Sequence, residues 1–549
     1  MNTAKLNGAL FSDLVKNGAN NLRLNKKTVD ELNVFPVPDG DTGENMSMTI
    51  DSARGALEEK VGVGEAAKNI AREMLLGARG NSGVILSRIF AGIAEGLNKK
   101  IEVSVAEFHE AMQWGVREAY GAVATPVEGT ILTVLRESVN YAGSKVETSS
   151  SFEEYFENLV NEMRNSIKRT PDFLPTLKEA GVVDSGGVGL RYIFEGMRNT
   201  LYGQVVESNS GDNEHAMNNH DVDVSLFDEN SELTFGYCTE FLLRLQNKKI
   251  NLDDFNVEDF IEYLKSVGDS VVAFQDGSIV KAHVHTKTPG EVLTHCQGFG
   301  EFLKIKVENM TLQHNGALIK NNSEFKSKPH KKYGIITVAN GEGMIKIFEE
   351  LGCDVVVAGG QSMNPSTNDF VDAIKEIDAE TIFIFPNNKN IIMSAEQAAG
   401  LVEKDVRVIK TKTIGEGYAA ISMFDSTIET PEDLIKNLGE IIAGVKTGQI
   451  SKASRDATIG GKKVVTGNYI GFSNGKILAE AKKISPTFFG LAKELKAEKF
   501  DIAILVFGKD INKDEAKSIE KKFRKEYNKV ETYTIDGGQP IYDLILILE

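Results

Sequence analysis

Asn33-Val-Phe-Pro-Val-Pro-Asp-Gly-Asp-Thr-Gly-Glu-Asn-Met46 places two carboxylates, Asp39 and Asp41, one residue apart in a stretch shaped by Pro38, Gly40 and Gly43. Prolines fix φ and glycines accept backbone angles that other residues avoid, so the segment reads as a loop and not a helix interior. Carboxylates crowded into one turn repel each other unless a cation lies between them, and hard divalent cations take oxygen ligands. Mg2+ keeps several waters and is held through one or two carboxylates plus substrate phosphates, so a nucleotide is its natural companion. A lone Asp-Gly would read as a solvated turn. Two prolines, two glycines and two aspartates before an apolar helical run make a metal loop the better reading.

Three strings further on carry the same theme. Gly77-Ala-Arg-Gly-Asn-Ser-Gly83 precedes a broad apolar helical face of Val84, Ile85, Ile89, Phe90, Ile93 and Leu97. Asn81 or Ser82 suits the N-cap, and helix N-termini offer unpaired N–H groups to anions. Gly80, Asn81 and Ser82 are therefore candidate phosphate contacts, although no Gly-Lys-Ser/Thr follows and the string is not a Walker A loop. Pro126, Glu128, Gly129 and Thr130 precede a second apolar helix that begins at Ile131. Val183-Asp184-Ser-Gly-Gly187 lies between Leu177 and Leu190, where Asp184 either closes a nucleotide site or stabilises its own turn.

Asp39-Gly-Asp-Thr-Gly43, with Asn45-Met46 behind it, resembles the metal–nucleotide loop of the dihydroxyacetone kinase L-subunit family. The longer string over residues 33–46, followed in order by the three others, resembles the ATP-binding subunit of bacterial fatty acid kinases, a three-domain protein. That resemblance extends over nearly the whole chain. It implies ATP and Mg2+ as cofactors, with Asp39 and Asp41 as metal ligands and catalytic residues. It also implies Thr42, Asn45, Met46, Gly80, Asn81, Ser82, Gly129, Thr130 and Asp184 as nucleotide contacts. Dihydroxyacetone kinases carry a third Asp upstream of the pair; the nearest candidate here is Asn33, whose amide oxygen can bind Mg2+ but bears no charge.

At 549 residues the chain is too long for one core and suggests about three domains. Hydrophobic residues at 41% and charged residues at 26% fit a soluble globular protein. Lys and Arg number 62 against 79 Asp and Glu, a net charge of -17 that disfavours a nucleic-acid partner while leaving room for one local Mg·ATP site. The start, Met1-Asn-Thr-Ala-Lys-Leu, has no secretory pattern, and no apolar run is long enough to insert into a membrane. Three scattered cysteines, Cys238, Cys296 and Cys353, give no disulfide framework and point to the cytoplasm.

Hydrophobic periodicity predicts a multidomain chain. Residues 1–203 read as an all-α bundle or helical barrel, with no convincing strand, carrying the ATP/Mg-binding kinase site. Residues 204–231 form an acidic linker that lacks core-forming side chains. Residues 232–318 read as an α+β domain, and 319–332 as a second linker. Residues 333–549 alternate β-branched runs with helical ones, which predicts a two-lobed α/β domain built on a parallel sheet covered on both faces.

In the middle domain, His283 and His285 share one face of a predicted strand, and Cys238 on another can join them. Two His and one Cys with a fourth position open suit Zn2+; a pair of surface or hydrogen-bonded histidines is the competing reading. The family carries a Cys/His cluster in this region, so the resemblance makes Zn2+ a candidate cofactor and the two histidines catalytic candidates. In the last domain, residues 359–367, 411–417, 455–456 and 536–540 are polar strings, several at strand ends, with no acid/base pair or nucleophile. The resemblance assigns this domain to docking a fatty-acid-binding carrier protein and implies a homodimer. The implied reaction moves the ATP γ-phosphoryl group to a fatty acid carboxylate. A dihydroxyacetone-type small-molecule kinase and a non-catalytic ATP-sensing regulator are the alternatives.

Overall fold

The computed structural model describes residues 3–33, 41–58, 61–147, 150–205, 237–246, 248–250, 255–276, 278–309, 330–360, 363–459 and 461–549. The chain divides into two units, Met1–Ser208 together with Pro329–Glu549, and Asn209–Lys328.

The helical part of the first unit runs through Gly8–Asp30, Thr42–Asp51, Val63–Gly77, Gly80–Gly96, Val105–Gly121, Ile131–Gly143, Phe152–Phe173 and Ser185–Leu201. Ser104 with Glu107 and Ser151 with Glu154 form reciprocal capping boxes that fix where two of these helices start. Their apolar stripes meet in one core, where Phe108, Phe152, Tyr155, Phe156 and Phe194 are almost wholly buried. The Phe156 ring stacks 5.8 Å from Phe108 and lies 6.3 Å from Phe194. Phe156→Ala is therefore expected to destabilise the helical part by about 3–5 kcal/mol, the usual cost of emptying such a site. A circular dichroism melt unchanged by the substitution would contradict this packing.

One departure from the all-helical expectation is a small antiparallel pairing of Lys5–Asn7 with Glu102–Ser104. Three residues per strand are too few for alternation to register in the sequence.

The C-terminal part has two sheets. Asp405–Val408, Ala379–Phe385, Lys331–Ala339 and Val355–Ala358 lie side by side in that order, all parallel. A six-stranded sheet orders Lys476–Ala481, Tyr469–Ser473, Lys446–Lys452, Leu544–Leu548, Ile502–Phe507 and Glu531–Asp536; only its last pair is parallel. In Lys331–Ala339 every residue from Tyr333 onward is buried, as strands covered on both faces require. This part packs on the helical part within the same unit. Gln397 Nε2 donates to the Leu75 carbonyl at 2.7 Å, Arg88 Nε donates to Gln397 Oε1 at 3.0 Å, and Arg455 donates to the Glu31 carbonyl at 2.6 Å.

The second unit is α+β. Its antiparallel sheet orders Asp269–Asp276, Ile279–Thr286, Tyr237–Leu245 and Gly300–Asn309, with helices Val257–Val267 and Pro289–Gln297. Phe241, Leu243, Phe260, Leu264, Val280, Ala282 and Val284 form its core. Among the described residues no helix is long and apolar enough to cross a membrane.

Candidate functional site

Asp41 is the residue just before Thr42–Asp51 and the Asn45 N–H donates to its carbonyl at 2.8 Å. Asp39, with the rest of 34–40, lies outside the described residues. The Gly43 amide donates to Asp30 Oδ1 at 2.6 Å, and the Glu44 amide lies 3.4 Å from the same oxygen. Asp30 closes the helix Gly8–Asp30, where the macrodipole disfavours an anion. Burial pushes its carboxyl up to about 6 against the pull of those two amides. Through these amides Asp30 ties the start of Thr42–Asp51 to the first helix.

Asn33 stands at the same place. Its Oδ1 accepts from the Thr42 hydroxyl at 2.9 Å and lies 3.3 Å from Ser185 Oγ. Ser185 opens Ser185–Leu201, so this contact links two helix N-termini. Asp184, the N-cap of that helix, accepts from the Gly187 amide at 2.7 Å and also from the Ile131 amide. The second bond reaches the first residue of Ile131–Gly143, whose N-cap is Thr130. On the other side, Gly80 packs so closely on Asn45 that a Cβ would stand 2.5 Å from Asn45 Nδ2. Gly80 also has φ +58, which favours glycine. The starts of four helices are thus joined in a chain, from Gly80 through Asn45 and Thr42 to Ser185, and through Asp184 to Ile131. Clustered helix N-termini offer amides and positive dipole ends to an anion, and a triphosphate is one.

Two readings of individual residues change. Neither Asn81 nor Ser82 caps its helix: the cap of Gly80–Gly96 is Arg79, two residues before Asn81, with no side-chain cap bond. Asn81 and Ser82 therefore sit in the first turn, where backbone amides lack intrahelical partners. Met46 is fully buried in the helical core, and a Cβ on Gly189 would stand 2.7 Å from its sulfur, so its side chain serves packing. Thr42 and Asn45 are nearly buried. Gly129 has φ +84, and its amide donates to the Thr133 hydroxyl at 2.8 Å. Asp30 and Thr49, which receives the Arg79 amide at 3.2 Å, are parts of the site that no sequence motif marks, and Ser185 lies in the string around Asp184, which does not single it out.

Burial raises Asp184 from 3.8 to about 6, with the two amides opposing. A carboxyl whose folded value lies above its unfolded one stabilises when protonated, so its contribution is complete below about pH 3.8 and is lost as pH rises through 6. Asp184→Asn keeps an oxygen acceptor without the charge. Its melting temperature should therefore fall less between pH 4.5 and 7.5 than the wild type's, by at most about 3 kcal/mol in stability. Identical pH profiles for the two proteins would contradict the assignment.

The donors present fit a hard cation. The Asp41 carboxylate and the Asn33 amide oxygen are oxygen ligands of the kind Mg2+ takes, with waters and phosphates to fill its octahedron. Asn81 Oδ1, buried in the first turn of the neighbouring helix, has no hydrogen-bond partner among the described residues. In the second unit, Cys238, His283 and His285 are described by their backbone alone, and the register pairs Cys238 with His285 and Glu240 with His283. Among the described residues no group of three or more His, Cys, Asp or Glu is arranged to hold a metal.

Family models match three regions: a DAK2 domain over residues 36–199, the middle domain of FakA-like fatty acid kinase proteins over 234–317, and their C-terminal domain over 334–549. Together they define a chain of the kinase class in which two further domains follow a helical one. Protein YloV of Bacillus subtilis is 38% identical over 558 residues, covering 100% of both chains. An uncharacterised protein of Staphylococcus haemolyticus is 38% identical over 554 residues, again covering 100% of both. The chain belongs to the FakA-like fatty acid kinase family. Among solved structures, DegV, a fatty acid binding protein from Bacillus subtilis, is 13% identical with a TM-score of 0.31, covering 40% of this chain and 99% of its own. The fatty acid kinase B3 protein of Streptococcus pneumoniae is 12% identical with a TM-score of 0.30 and the same coverage. The dihydroxyacetone kinase of C. freundii, in complex with AMP-PNP and Mg2+, is 20% identical with a TM-score of 0.28, covering 35% of this chain and 34% of that one.

Proposed function

We propose that this chain is the ATP-using component of a fatty acid kinase. A carboxylate oxygen of the fatty acid attacks the γ-phosphorus of ATP, the bond to the bridging oxygen breaks, and ADP and an acyl phosphate leave. The observation that carries the reading is the chain of four helix N-termini beside the Asp41 loop, supported by membership of the family. Phosphoryl transfer depends on positioning and on neutralising phosphate charge, and these are what such a site supplies. Asp39 and Asp41, with Asn33, would hold Mg2+, which when bound neutralises charge on the phosphates. The amides of Gly80, Asn81 and Ser82 hold phosphate oxygens, and the Gly129–Thr130 turn with Asp184 keeps the two remaining helix starts in place around the nucleotide.

An acyl chain is insoluble, so a separate fatty-acid-binding protein that presents the carboxylate suits the chemistry. The C-terminal domain is proposed as its dock. Zn2+ at Cys238, His283 and His285 has no support beyond the strand register, and the homodimer has none among the described residues.

The test is ATP consumption by the full chain with Mg2+, with and without a fatty-acid-loaded carrier. Turnover that requires the loaded carrier and yields acyl phosphate is expected. Turnover with dihydroxyacetone instead, or binding of ATP without turnover under either condition, would overturn the proposal.

A further inference from the structure

A side chain from the C-terminal part lies inside the site built by the helical part. Asn364 Nδ2 donates to Asp41 Oδ2 and lies 3.4 Å from Asn45 Oδ1. The segment carrying it is seated by backbone. Arg79 Nη1 donates to the Asn364 carbonyl at 2.7 Å, Arg79 and Ser366 form an antiparallel bridge, and the Thr367 amide donates to the Ala78 carbonyl at 3.1 Å. Arg79 also lies 3.8 Å from the Asp369 carboxylate. A Cβ on Gly80 would stand 3.2 Å from Asn364 Nδ2, so the tight approach at this residue involves the C-terminal part as well as Asn45.

Asn364 is 1% exposed, and its Oδ1 has no hydrogen-bond partner among the described residues. Asn81, half-buried in the first turn of the helix that Gly80 opens, also has a buried Oδ1 with no hydrogen-bond partner among the described residues. Burying an acceptor without a donor is costly, and structures keep such atoms where a water or ion satisfies them. An orphaned amide oxygen on the side chain that holds the Asp41 carboxylate, with a second in the first turn of the helix that Gly80 opens, suits a hydrated hard cation, whose waters donate and whose shell accepts oxygen ligands.

We infer that Asn364 is a positioning residue of the phosphoryl-transfer site, delivered by the C-terminal domain. Its amide N–H orients the Asp41 carboxylate, and its amide oxygen, with that of Asn81, faces the hydrated ion. The site is then complete only when the C-terminal domain is seated on the helical one. This rests on the metal-loop reading of Asp41 and adds a role for the last domain beyond docking a carrier. A hydrogen bond that merely glues two domains together would affect docking and stability but not the ion.

The test is calorimetric titration of the full chain with Mn2+ alone and with Mn2+ plus ADP, without the acceptor. Asn364→Ala is expected to weaken binding of Mn2+ with ADP about tenfold, as loss of one charge-assisted hydrogen bond implies. Asn364→Asp, similar in size but with a carboxylate facing the ion, is expected to bind Mn2+ alone more tightly than the wild type. Gln397→Ala removes a bond across the same domain contact without touching Asp41, and its binding should stay within about twofold of wild type. Wild-type affinity in Asn364→Ala, weaker Mn2+ binding in Asn364→Asp, or an equal loss in Gln397→Ala would each overturn the inference. Asp41→Ala separates the two readings: if it too binds Mn2+ and ADP normally, the metal loop itself is misassigned.

Discussion

Asp41→Ala should abolish ATP-dependent phosphoryl transfer while the helical part stays folded. The carboxylate accepts from Asn364 outside the apolar core, so its removal leaves that core intact. A divalent ion that neutralises transferring phosphate supplies several kcal/mol of transition-state stabilisation, so the expected loss is roughly a thousandfold or more. Asp39→Ala should behave alike, because two carboxylates share the charge. The check is initial-rate measurement at saturating Mg2+ beside a circular dichroism melt. Near-normal turnover in either variant would remove the metal loop from the mechanism.

Gly43→Ala should cost about a hundredfold in kcat/KM, although the residue contacts no reacting atom. A Cβ there would lie 2.3 Å from the Lys26 carbonyl oxygen and 3.1 Å from Asp30 Oδ1. The nearer atom is backbone inside the helix Gly8–Asp30 and cannot rotate away, so the start of Thr42–Asp51 has to move. Asp41, Thr42 and Asn45 move with it. Displacing catalytic groups by about 1 Å costs on the order of a hundredfold in rate. The variant should still melt cooperatively, since the clash lies at a helix start and not in the aromatic core. Wild-type kcat/KM in Gly43→Ala would show that the loop tolerates displacement and does not position the ion.

The architecture was legible where hydrophobic periods are long. The helical run ahead of Leu201, the α+β middle and the strand–helix alternation after Lys331 all follow from apolar spacing. The three-residue strands at Lys5–Asn7 and Glu102–Ser104 were not, because alternation over three residues carries no period. The site was legible only along the chain. Asp41, the glycine string around Gly80 and the helix start at Ile131 declare themselves by spacing, whereas Asp30, Ser185 and Asn364 act through bonds that span 13, 152 and 323 residues. Asp30 left a faint signal, an acid at the C-terminal end of a helix. Asn364 lies in the polar string 359–367, but nothing in that string ties it to the Asp41 segment, since one asparagine in a Gly/Ser/Pro stretch looks like many others. The capping assignment missed by two to three residues because glycine at φ +58 let Gly80 open the helix ahead of the better capping residues.

The most direct test is a crystal structure of the chain grown with Mg2+ and a non-hydrolysable ATP analogue. The ion is expected between Asp39 and Asp41, with the terminal phosphates against the first turn of Gly80–Gly96. An analogue bound elsewhere, with nothing at the Asp41 loop, would contradict the account.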